Sequence, residues 1–450
     1  MFPGLRKRND LGTARKRTVA LLAALAVLGV PAFILHVACV GSSCESVDAA
    51  TTDVPFCSLE SDLRDRIVTG FHDGRSPDVL AIARDRRVFG ATGQPSPGWP
   101  SVGTEPMRVP IAFMGAGVND ASRIPSATRL DAIAPTIAEI IGLDRPHPEV
   151  RSGRAIEGIA SGERPRLVVL IAMTGVTSDD IDANEGHVPF LGNLSERGPA
   201  TLDGDPGSLP LDPAAVLTTI GTGGLPRQHG ITGRFLRNDA GAMVEAWGPK
   251  APVSVIATLA DDLDETLSER PEIGLVGSHR TDLGLIGGNW YVGVDADDVE
   301  IDDVAGRQAR AVDHLLSEGY GDDGVPDLLA VALSGDAVAA DAALTRIVRA
   351  AERAVPRGAT IVVTGTGIEG EGRDAAHDKE IVADVNERMG ADLIQGTALG
   401  GFFVDQRVLA REGIAEEDVV RMLRRFEVPA GGAAFEDVFP AISVSLARYC

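Results

Sequence analysis

The chain has 450 residues and 44% of them are hydrophobic, enough to bury one large core or two modest ones. Its formal net charge of −23 excludes a nucleic-acid partner, because phosphate backbones demand Lys and Arg. The acidic excess suits an exposed, soluble body.

The first 17 residues break that rule: Arg6, Lys7, Arg8, Arg15, Lys16 and Arg17 surround a single acid, Asp10. Thr18–Val40 follows, 23 residues without a formal charge. At about 1.5 Å per residue this stretch spans a hydrocarbon core of about 30 Å. The basic flank predicts a cytoplasmic N-terminus and an extracytoplasmic remainder. A cleaved signal peptide is the rival reading, although signal cores run about 7–15 residues. Pro31 and His36 weaken the helix without forbidding it, and His36 also argues against lipidation at Cys39. Residues 41–53 are small and polar and read as a linker.

Four cysteines are present, Cys39, Cys44, Cys57 and Cys450. Outside the cytoplasm they are free to pair, with three connectivities open. A Cys57–Cys450 bridge would staple the two ends of the body together.

From residue 58 onward, apolar runs alternate with amphipathic stretches. Strands are predicted at 78–83, 109–114, 167–172, 273–278, 327–333 and 360–365. Helices are predicted at 131–142, 252–266, 304–317, 336–354, 378–389 and 415–425. Such alternation predicts an α/β fold with a largely parallel central sheet and helices on both faces. GERPR (162–166) divides the body into a shorter block, 54–160, and a longer one, 166–450.

Four stretches together resemble the alkaline phosphatase superfamily, in particular its phosphodiesterase and nucleotide pyrophosphatase branch. TTIGTGGLPRQHGITG (218–233) is similar to the family's Thr-Gly, Pro, His-Gly-Ile segment after the nucleophile. RVPIAFMGAGV (108–118) and RLDAIAPTIAEIIGL (129–143) are similar to its late strand and its Ala-Pro-Thr helix. GFHDGRSPDVLAI (70–82) resembles the segment before that strand. The resemblance covers about 54–450, but in a changed order. Block 54–160 matches the family's C-terminal part and block 166–450 its N-terminal part, as if circularly permuted. Permutation requires the old termini to lie close together, and it gives the Cys57–Cys450 staple a geometric reason.

The resemblance implies two metal ions, usually zinc, beside a Thr or Ser nucleophile. Such sites need carboxylates and imidazoles, and here the expected positions are degenerate. The run LVVLIAM (167–173) ends in Thr174-Gly175 where the family has Asp-Gly. Counting back ten residues from Gly223 places Pro213 at the nucleophile. Thr218 and Thr219, nearby, read as helix packing residues. Asp336 fits a ligand position, but Ala340 stands four residues on, where a His belongs. Gly365 and Thr366 replace an Asp-His pair. No histidine lies between His72 and His147, where the last ligand belongs. His279 stands at a substrate-binding Lys. His229, in the His-Gly-Ile turn, is expected to make a structural hydrogen bond.

The leading expectation is therefore a catalytically inactive, membrane-anchored member of the superfamily, needing no cofactor and serving to bind or scaffold an envelope protein or glycan. The alternative is a zinc-dependent phosphoric ester hydrolase with a remodelled site, which requires Asp336, His279 and His377 to converge. A plain surface domain without a small-molecule ligand is the third reading. The Arg, Ala, Gly and Val richness fits a high-GC bacterial chain.

Overall fold

The computed structural model describes residues 55–84, 100, 107–268, 270–288, 290–291, 297–367, 378–428 and 431–450. The expected membrane span 18–40, the linker 41–53, Cys39, Cys44 and His377 lie outside the described residues. Among the described residues no helix is long and apolar enough to cross a membrane.

Thirteen strands are described: β1 Val79–Ala83, β2 Val109–Gly115, β3 Leu167–Met173, β4 Ala200–Gly204, β5 Phe235–Arg237, β6 Met243–Glu245, β7 Ile273–Gly277, β8 Asp298–Ile301, β9 Asp327–Leu333, β10 Ala359–Gly365, β11 Ile394–Ala398, β12 Gly401–Val404 and β13 Phe435–Pro440. Seven form the larger sheet, in the order β4-β2-β10-β3-β9-β7-β8. β10, β3, β9, β7 and β8 run parallel, while β2 is antiparallel to β10 and to β4. Successive side chains of a strand point to opposite faces, and β3 uses this fully. Val169 and Ile171 pack on one face with Val312 and Leu344 of the helices Ala305–Leu316 and Ala337–Ala354. Val168 and Leu170 pack on the other with Ile137, Leu217 and Leu263 of the helices Ile133–Ile141, Pro213–Thr222 and Leu259–Leu267. The α/β fold with a mostly parallel central sheet covered on both faces is therefore present.

The six predicted strands all form, within a residue at either end. The helix predicted over 252–266 is corrected: it begins at Leu259. Thr258 caps it in a reciprocal box with Asp261, and the preceding stretch is a loop tied down by Val255 N donating to His229 O. A second, four-stranded antiparallel sheet, β11-β12-β1-β13, stands outside the predicted architecture.

The two sequence blocks interlock. β1 and β2 come from block 54–160, and neither pairs with the other. β2 sits between β10 and β4, and β1 between β12 and β13, all strands of block 166–450. A buried charge network adds a second tie. Arg145 Nε and Arg151 Nη2 both donate to Asp262 Oδ2, at 2.8 and 3.0 Å, and both guanidiniums also donate to Thr222 O and Ala257 O. Cys57 and Cys450 form a disulfide with Cα atoms 5.3 Å apart. Beside it, Phe56, Leu63 and Ile67 pack with Phe439 and Val444, so both ends of the body share one small core.

Candidate functional site

In open parallel sheets ligands gather at the carboxyl ends of the strands. Here Met173 of β3 is level with Gly365 of β10 and Leu333 of β9, so Thr174, Thr366 and Ser334 emerge side by side. The resemblance puts its metal ligands at this edge, and each candidate position has a specific geometry.

Thr366 is fully buried; its N–H donates to Met173 O at 3.1 Å and its Oγ1 accepts from Gly175 N at 3.1 Å. The hydroxyl serves to fasten the β3 turn to β10. Thr174 N donates to Leu333 O at 2.8 Å, and its buried Oγ1 has no hydrogen-bond partner. Gly365 is closed to any side chain: a Cβ there would lie 2.2 Å from the backbone oxygen of Val176. Ala340 is fully buried in the helix Ala337–Ala354, within the sheet's hydrophobic core. Asp336, the surviving carboxylate, is the N-cap of that helix, its Oδ1 accepting from Ala339 N at 2.8 Å. A capping carboxylate neutralises orphan N–H groups at a helix start, so this geometry explains Asp336 without a metal.

Pro213 occupies the first turn of its helix, where a missing N–H costs nothing. Its neighbour Asp212 is the N-cap, accepting from Ala214 N at 3.0 Å and Arg234 N at 2.9 Å. Burial pushes the Asp212 carboxyl above the usual range, against those donors. Thr218 donates back to Ala214 O at 2.7 Å inside the helix, a packing role.

His279 caps the short helix Arg280–Leu285, its Nδ1 accepting from Thr281 N at 3.2 Å. Its Nε2 lies 3.2 Å from Arg234 Nη2 and 3.5 Å from Glu245 Oε1, beside the β5-β6 hairpin. Asp336 and His279 thus engage separate partners. Among the described residues no group of three or more His, Cys, Asp or Glu could hold a metal ion. Among the described residues this edge offers hydroxyls, glycines and one capping carboxylate, which do not fit a pair of zinc ions that need several anionic or imidazole ligands each.

His229 is fully buried, as its turn requires. Nδ1 accepts from Ile231 N at 3.1 Å, which leaves the proton on Nε2, 3.1 Å from Thr219 Oγ1. Burial first, then the charges of His72 and Arg75, bring its pKa down to about 3. The unfolded chain binds a proton at this position below about pH 6.5 while the folded chain refuses it. The stability held by neutral His229 is complete above about pH 6.5 and is lost as pH falls toward 3. His229→Gln should therefore flatten the acid limb: between about pH 7 and 4.5 the native chain should lose about 2–3 kcal/mol more than the variant. Urea melts at the two pH values check this, and equal losses would refute it. Asp212, Asp261 and Asp282, raised by burial, act in the opposite sense in both proteins and cancel in the comparison.

The residues that sequence reasoning missed are structural carboxylates. Asp341, in mid-helix, accepts from Phe190 N and Leu191 N at 2.9 and 2.8 Å. Asp282 accepts from Ser278 N and His279 N. The Thr-x-x-Asp spacing at 258–261 and 177–180 was a readable capping signal.

No protein-family model matches the chain, and no curated protein matches it. Among solved structures the chain is similar to the alkaline phosphatase PafA, at 14% identity and a TM-score of 0.42, over 59% of this chain and 76% of that one. It is similar to a mutant of the same enzyme at 14% identity and a TM-score of 0.41, over 59% of this chain and 77% of that one.

Proposed function

We propose that this protein is a circularly permuted relative of the alkaline phosphatase superfamily that has given up two-metal hydrolysis. It is held outside the cytoplasmic membrane by its N-terminal segment, and it acts there by binding an envelope component. The observation that carries the reading is Gly365. Where the resemblance wants a metal-binding Asp, the backbone oxygen of Val176 leaves no room for a Cβ. The neighbouring places hold a hydroxyl already used for fastening, a packed methyl and a helix cap. Reversing one substitution would not rebuild such a site.

The interlocking of the two blocks supports permutation over a fusion of two incomplete domains. The shorter block supplies two strands that each lie between strands of the longer one, as expected of one ancestral chain cut at a new place. The bridge between Cys57 and Cys450 ties the two present ends of the body, where such a cut would have opened one continuous stretch, while the old termini would have been joined at 162–166.

The test is the metal content of the full chain, purified in detergent, loaded with zinc and desalted. Mass spectrometry should find far less than one zinc per chain, and hydrolysis of bis(p-nitrophenyl) phosphate should be no greater with zinc than with chelator. A value near two zinc ions per chain, as a two-metal enzyme holds, with chelator-sensitive hydrolysis, would overturn the proposal.

A further inference from the structure

β8 ends the seven-stranded sheet, and among the described residues no strand pairs with its outer edge. A free edge presents backbone donors and acceptors to any extended chain that approaches. β8 is also open on its faces. Val299 and Ile301, two residues apart and so on one face, are 47% and 49% exposed, and Val304 just beyond is 43% exposed. β3, β9 and β10 of the same sheet are buried throughout.

Acids frame this apolar pair. Asp297 and Asp298 precede it, Glu300 stands between its members, and Asp302 and Asp303 follow. Arg307 offsets the last two, at 2.5 and 3.0 Å. At the amino end Glu272 adds to the charge. Burial, and then Asp327, Asp297, Asp298 and Asp323, hold its carboxyl above the usual range, so these groups lie within electrostatic reach of one another.

The two features make different demands. Edge charges keep identical edges apart, since two β8 strands meeting would bring like charges together. An edge guarded only against pairing has no use for three exposed β-branched aliphatics. An extended segment that alternates basic and apolar residues meets both demands, with backbone pairing for affinity and charge for selectivity. We propose that the β8 edge docks such a basic segment of a partner protein as an added strand. This goes beyond the binding role proposed above, and it stands whether or not the strand ends hold metal.

The probe is a fluorescein-labelled heptapeptide of alternating lysine and valine, titrated into the full chain and followed by anisotropy. Binding should weaken with added salt as charges are screened. It should weaken at least about tenfold for a copy whose pairing amides are N-methylated, and be absent for the glutamate–valine counterpart. Hydrogen exchange should slow at 298–301 when the lysine peptide binds. The variant Val299→Lys with Ile301→Lys, at exposed positions, should lose binding by a similar factor. If that variant melts early, the N-methylated peptide on the native chain decides alone. Equal affinity for the methylated or the glutamate peptide, or protection elsewhere than 298–301, would overturn the proposal. So would self-association of the chain through 298–301.

Discussion

Replacing Asp262 with alanine is expected to destabilise the protein by about 3–5 kcal/mol, because it leaves two buried guanidiniums without their counter-charge. The side chains of Arg145 and Arg151 are 6% and 5% exposed, and that of Asp262 is fully buried. Burial, and then repulsion from Arg151, already bring the Arg145 pKa down to about 10 with the carboxylate in place. Tyr291 OH donates to the other oxygen of Asp262 at 3.0 Å, so the change also orphans a hydroxyl. Urea denaturation near neutral pH measures the loss. Converting Asp262, Arg145 and Arg151 together to Leu, Met and Met should cost less than Asp262→Ala alone, since a buried ion cluster is replaceable by packing but not by half of itself. A loss below about 1 kcal/mol for Asp262→Ala, the scale of an exposed pair, would show that the network does not join the two blocks.

The double variant Cys57→Ser, Cys450→Ser should lose about 4–5 kcal/mol, near the upper end for one disulfide. The bridge spans 393 positions of sequence, and the entropy it removes from the unfolded chain grows with that span. Reductant should lower the urea midpoint of the native chain to that of the variant and leave the variant unchanged. Coincident melts for both proteins without reductant would refute the bridge's contribution.

The parallel core was legible because β3, β9 and β10 are buried on both faces and so appear as unbroken apolar runs. The second sheet was not. β11 reads IQGTA and β12 reads GFFV, short pieces that pair with each other, while β1, which joins them to β13, lies far upstream in sequence. β8, DVEI within an acidic stretch, has the composition of a loop and is a strand only because β7 pairs with it. At the candidate site the sequence identified which positions to inspect. It did not reveal that Asp336 caps its own helix or that Val176 crowds Gly365, because both depend on how loops close over strand ends. The Asp262 network was invisible for the same reason: its arginines lie 117 and 111 residues upstream.

The placing of β1 and β2 has a consequence for synthesis. A ribosome makes 54–160 first, yet β2 needs β10 and β4 beside it, and β1 needs β12 and β13, the last of these ending at Pro440. The earliest part of the body is thus among the last to find its place. The apolar segment VPIAFMG waits without its neighbours through most of elongation, the condition under which chains of high contact order aggregate. Neither sheet is complete until strands from late in the chain have been made, so the apolar residues 109–115 have no native cover before then.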